Sequence, residues 1–225
     1  MPDSRKASKA WGVAAKSEPR WPAALTILIA AGLNLALPAR YSLGPTWLIP
    51  VLVVVILIPV MIVAPRRLPQ ELRWTQIAAF VNISIVNAAN VISLALLIRT
   101  LVTNGKSVTG PELLISAVAI WMTNVLVFAL WYWEMDRGGP DVRLRPEHEP
   151  PDFLFPQMSV PGCAPGGWSP AFFDYLYVSW TNATAFSPTD TMPLTPFAKA
   201  LMLVQSAASL LTLAIVASRA VNILG

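Results

Sequence analysis

Charge, cysteine and histidine are all scarce in this chain, and each shortage excludes something. Asp, Glu, Lys and Arg make up 12% of the 225 residues, while 55% are hydrophobic. A soluble domain carries about a quarter charged residues, so much of this surface does not face water. One cysteine, Cys163, excludes an intramolecular disulfide and any multi-cysteine metal site. One histidine, His148, leaves little for imidazole chemistry. The run His148-Glu149-Pro150-Pro151-Asp152 is not the helical zinc motif, because it lacks the second histidine and its prolines would break the helix. No nucleophile–base pair, metal cluster or phosphate loop is visible, so the sequence points to no enzyme, no catalytic residue, no metal and no cofactor. The formal charge of +4 sits mostly in loops. It reads as membrane topology, and no nucleic-acid partner is expected.

Long apolar runs are what the chain has instead. Leu43–Ala64, Trp74–Ile98 and Leu113–Trp133 contain no charged residue. A helix of roughly 20 apolar residues crosses about 30 Å of hydrocarbon, and each run reaches that length. Ala200–Ser218 is a fourth, and Trp21–Ala39 is a shorter, alanine-rich fifth. Pro22 and Pro38 bracket Trp21–Ala39, which reads as a span rather than a cleaved leader. The expected fold is all-α, a polytopic membrane helix bundle of about five transmembrane helices plus a short re-entrant pore-type helix.

The organisation follows. Residues 1–20 form a basic N-terminal tail with Arg5, Lys6, Lys9, Lys16 and Arg20. Residues 21–133 hold four transmembrane helices. Pro50 and Pro59 lie inside the second, where kinks are expected. Pro65–Arg73 reads as a short basic loop carrying Arg66, Arg67 and Arg73. Trp131-Tyr132-Trp133 reads as an aromatic belt at the headgroup level, and Trp21, Trp47 and Trp74 also stand at span edges. Residues 134–170, with repeated prolines and Gly138-Gly139, read as an extramembrane loop. Residues 171–225 hold a short apolar segment and the last span.

Two polar faces stand out. At about 100° per residue, Gln76, Asn82, Asn87, Asn90 and Ser93 fall within an arc of roughly 140° on the third span, with Ser84 outside it. Such side chains face protein or water rather than lipid. Interhelical hydrogen bonding is favoured over a wet pathway. Gln205, Ser209, Thr212 and Arg219 share one face of the last span. The first three are candidate pore-lining residues, and a packing face would look the same.

The stretch 174–199 carries the most information. It supplies Tyr177, Ser179 and Trp180, then Thr184, then Asp190, then Pro193, Thr195, Pro196, Ala198 and Lys199. This order resembles the pore-loop module of potassium-channel-like cation channels over about fifty residues. The family's filter uses two glycines, which let successive carbonyls turn toward a dehydrated ion. Here those positions hold Ser187 and Thr189, with Pro188 between them. Proline fixes its own φ and restricts its predecessor, so a potassium-selective carbonyl ladder is not expected. Thr184, Ser187, Pro188, Thr189 and Asp190 are the pore-loop candidates. Asp190 reads either as an acidic residue at a pore mouth or as a cap of the turn before the last helix, with Thr191 and Thr195 nearby. Asp174 reads as a cap of the short helix. The triplet Asn182-Ala183-Thr184 is discarded as a glycosylation site because it falls at membrane depth. The whole chain also resembles a bacterial multi-pass membrane family of unknown function, which implies no activity.

With five spans and a cytoplasmic N-terminus, eleven basic residues lie on the cytoplasmic side against four outside. That orientation puts the pore-like segment on the cytoplasmic side, opposite to the channels it resembles. A cell-membrane location with a cytoplasmic N-terminus is expected, with the lipid bilayer as partner. The resemblance implies a homo-oligomer of four subunits and monovalent cations as the permeant species. Two functions stay open: a pore-forming subunit without a potassium-type filter, and a non-conducting membrane scaffold of pore-loop fold.

Overall fold

A computed structural model describes residues 19–42, 44–63, 69–104, 108–140, 142–143, 150–160, 168–184 and 190–224. Helices dominate: α1 (Trp21–Leu33), α2 (Leu48–Val63), α3 (Pro69–Asn104), α4 (Gly110–Met135), α5 (Pro156–Ser159), α6 (Phe172–Thr184) and α7 (Pro196–Leu224). The described strands are two residues each, β1 (Phe153–Leu154) and β2 (Met192–Pro193), paired antiparallel with Phe153 opposite Pro193.

Among the described residues, three helices are long and apolar enough to cross a membrane: Trp74–Thr103, Gly110–Gly138 and Pro196–Ser218. The other two apolar helices, Trp21–Ala36 and Leu48–Met61, are shorter. The expected loop at 65–73 is corrected in its second half. Pro69–Arg73 is the first turn of α3, where proline lacks only an N–H that a helix start cannot use. At about 1.5 Å per residue, the 36 residues of α3 reach about 54 Å. Helix α2 runs unbroken through Pro59. Thr109 N-caps helix α4: its Oγ1 accepts from the Glu112 amide at 3.4 Å, and Pro111 stands in the first turn.

Helices α1 to α4 alternate direction. At one end Arg20, just before α1, lies 4.0 Å from Glu134 near the end of α4. Gln76 on α3 donates to the Gly138 carbonyl there at 2.8 Å. We call this the proximal end. At the distal end Arg40, beyond α1, pairs with Glu112 at the start of α4. Burial raises the Tyr41 phenol above its ordinary range, so it stays protonated at neutral pH. One apolar core, including Ile27, Val53, Val86 and Phe128, fills the proximal half. A second, with Tyr41, Leu97, Leu113 and Ile120, fills the distal end.

Helix α4 is the hub, packed by α1, α3, α6 and α7. Trp21, Trp47 and Trp74 are exposed, as interfacial tryptophans should be. The aromatic belt at 131–133 is corrected: Tyr132 and Trp133 are buried inside the protein and Trp131 is partly so. Tyr132 and Trp133 face α6 and α7, while Trp131 meets Phe80 of α3 at 5.5 Å.

The chain leaves α4 through a sharp reversal. Arg137 (φ 55°), Gly138 (φ 78°) and Gly139 (φ 95°) are successive left-handed residues. A Cβ on Gly139 would lie 2.8 Å from the Glu134 carbonyl oxygen, so only glycine fits. The described parts of 134–170 are therefore not detached from the bundle: Glu134, Asp136, Arg137, Arg143, Phe153 and Phe155 are all buried.

Candidate functional site

Helix α6 begins at the proximal end. Phe172 meets Trp133 edge to face at 5.9 Å, and the Tyr175 hydroxyl donates to Asp136 Oδ2 at 2.6 Å. Its 13 residues extend about 20 Å, to where Trp180 packs on Trp121, near the middle of α4 (5.1 Å). The chain is back at the proximal end by β2, because β2 pairs with β1 and Thr195 Oγ1 donates to Asp152 Oδ1 at 2.5 Å. Segment 172–195 thus enters and leaves by one end of the bundle.

Local chemistry explains both ends. Asp174 Oδ2 accepts from the Ala171 amide at 2.8 Å, the reach-back half of a capping box, as its capping reading expects. Thr195 caps α7, with its Oγ1 accepting from the Ala198 amide at 3.2 Å. Asp190 is exposed and stands five residues before Thr195. Ser187, Pro188 and Thr189 lie outside the described residues. Of the pore-loop candidates, Thr184 is half-buried, its hydroxyl donating to the Thr181 carbonyl.

A neutral network clamps α6 in mid-bundle. Gln205 of α7 is its centre. Its Oε1 accepts from the Tyr132 hydroxyl (2.5 Å) and from Asn182 Nδ2 (2.8 Å), and its Nε2 donates to Ser179 Oγ (2.6 Å) and to the Ser179 carbonyl (2.9 Å). Ser179 Oγ in turn donates to the Val125 carbonyl at 2.6 Å. Asn124 Nδ2 donates to Ser209 Oγ at 2.8 Å, and Ser206 Oγ donates to Asn182 Oδ1 at 3.0 Å. Gln205, Ser209 and Thr212 are therefore buried within one chain. The stripe that could line a pore or pack against neighbours packs. The same holds for the α3 face: Asn82, Asn90 and Ser93 are buried, Gln76 and Asn87 are half-buried, and Ser84 is exposed. Asn182 lies inside this network, which agrees with discarding it as a glycan acceptor.

A charged cluster locks the proximal end. Asp136 accepts from Tyr175 at Oδ2, and its Oδ1 accepts from the Asp152 amide at 2.8 Å. Arg137 Nε lies 3.3 Å from Asp136 Oδ2. Arg143 donates to the Trp133 carbonyl (3.1 Å) and to the Tyr175 hydroxyl (3.2 Å), and lies over both rings. Sequence reasoning placed Arg137 and Arg143 in a loop and missed this cluster. The only signal was three charges and two glycines crowded just past a span. No group of three or more metal-ligating side chains occurs among the described residues.

Comparison with known protein families, with curated proteins and with solved structures returns no match.

Proposed function

We propose that the chain crosses the bilayer five times from a cytoplasmic N-terminus, carries α6 as a re-entrant helix, and assembles as a homo-oligomer around a cation pore with Asp190 at its mouth. The observation that carries this reading is the path of 172–195, which enters and leaves at one end while reaching mid-bundle. A dead-end helix costs a membrane protein buried polar backbone, and a pore mouth is the common use of that cost. The resemblance to potassium-channel pore modules supplies four as the subunit number. A passage between subunits would be lined by the outward face of α7, where Leu203, Val204, Leu210 and Leu211 are exposed. Such a lining gates by dewetting rather than by polar coordination. The orientation remains inverted relative to the channels it resembles, with the mouth on the cytoplasmic side.

One observation favours a second reading, a non-conducting scaffold. The polar stripe of α7 is consumed by bonds within its own chain, so each subunit is closed on itself. Cation flux through liposomes carrying the purified protein separates the two. The pore reading expects flux with similar sodium and potassium rates. Asp190→Asn should lower it severalfold at low ionic strength, where a fixed charge best concentrates cations. Folded, oligomeric protein that passes no more than empty liposomes leaves the scaffold reading.

A further inference from the structure

A cavity of about 50 Å³ opens at the proximal half of the bundle, between α1, α2, α3 and α4. Its walls are mostly apolar, with Ile27, Leu57, Ala79 and Leu130 among them. Three polar side chains reach it: Asn82 at its deep end, and Arg20 with Glu134 at its outer end. Asn82 is 3% exposed. Its Nδ2 donates to the Val53 carbonyl at 3.3 Å, which fixes the orientation of the amide. The other amide atom, Oδ1, is buried with no hydrogen-bond partner. A buried acceptor in apolar surroundings is costly unless a donor reaches it. No described protein group supplies that donor, and the cavity beside it is where one can come from.

We propose that this cavity binds an uncharged, hydroxyl-headed, single-chain amphiphile drawn from the bilayer, whose hydroxyl donates to Asn82 Oδ1. Each element of the class has its reason. The donor is required by Asn82. The single chain follows from the volume, which admits a small head and the first carbons but not a bulky headgroup, with the tail left outside. The rim gives the way in, since Met61 lines the cavity on α2 and is 41% exposed. Neutrality follows from the outer end. Arg20 and Glu134 stand 4.0 Å apart with opposite charges, so a head of either net charge meets one like charge. A second hydroxyl on the head can accept from one and donate to the other. This inference rests on the chain lying in a bilayer and is independent of conduction.

The probe is a diazirine-tagged monooleoylglycerol in phosphatidylcholine vesicles containing the full chain. Photolabelling should concentrate on peptides of α1, α2 and α3 around the cavity. Excess untagged monooleoylglycerol should compete it away, and the analogue with both hydroxyls methylated should compete about tenfold less well. This arm uses wild-type protein, so no variant need fold. Asn82→Leu keeps the volume and removes the acceptor, and labelling at the cavity should fall about tenfold. Ala79→Phe fills the space and should abolish it. Three results overturn the inference. One is a label spread evenly over exposed apolar positions away from the cavity, such as Val91 and Val118. Another is a methylated analogue that competes as well as the alcohol. The third is a cavity that takes up no label, which assigns its roughly 50 Å³ to water alone, about three to five molecules at about 10–15 Å³ each. A flux assay run on the same vesicles is scored separately, so loss of this site and loss of the pore reading remain distinguishable.

Discussion

The two polar clusters around α6 solve one problem with opposite chemistry. The mid-bundle clamp on Gln205 uses amides and hydroxyls only. The proximal cluster uses Asp136, Arg137 and Arg143, all essentially fully buried. Depth accounts for the difference. In the hydrocarbon a charge is expensive, and a neutral hydrogen bond between helices contributes about 0.6–2 kcal/mol without that penalty. At the bundle's end the buried charges are each held by several partners at once, which offsets their desolvation. The neutral clamp therefore fixes where α6 sits, and the charged one fixes how the chain turns to reach it. The clamp is tolerant of losses because its bonds are individually modest. The charged cluster is not, because removing one member leaves buried charges behind.

That contrast can be broken in order of size. Asp136→Leu should cost the most, about 3–5 kcal/mol, measured by unfolding in detergent. It strands Arg137 and Arg143, and Tyr175→Phe should cost markedly less because it removes no charge. Gln205→Leu should cost about 2 kcal/mol, since it leaves Ser179, Asn182 and Tyr132 short of a partner. It should also speed amide exchange in α6 peptides more than in α4 peptides. A Gln205 effect larger than that of Asp136 would overturn the ranking of neutral below charged. Thr195→Val should cost about 1 kcal/mol, the usual loss of a helix N-cap, with the change confined to the start of α7. Ser84→Leu, on the exposed face of α3, should stay within about 0.5 kcal/mol. A larger loss would place Ser84 in an interface between chains.

Much of the fold was legible because membrane helices are written in composition. The apolar runs marked the five apolar helices, and the polar arc on α3 predicted which side faces protein, down to Ser84 lying outside it. Asp174 was legible as a cap because its partner, Ala171, is three residues away. What failed was non-local. Asp136 finds its partners at Asp152 and Tyr175, and no periodicity links those positions. Trp131–Trp133 looked interfacial because a run of aromatics at a span's end is ambiguous until the neighbours are known. Tyr132 meets Phe153 edge to face at 5.1 Å, from a segment whose prolines read as loop. The α7 stripe was visible, and whether it packs or lines a passage was decided only by Asn124 and Ser179 reaching it from other helices.

The bonds of α6 also set a timetable. Its partners Val125 and Asp136 precede it in the chain, and Met202 and Gln205 follow it. A ribosome finishes α6 before it makes α7. At that moment Ser179 can bond back to Val125, but Asn182 lacks Met202 and Gln205. The nascent helix is thus half-latched, held by α4 and still without the bonds of α7. It seats fully only when the last helix threads in beside it, so a chain stopped before Pro196 would leave Asn182 without its bonds to Met202 and Gln205, which makes the final helix the keystone of assembly rather than an appendage to it.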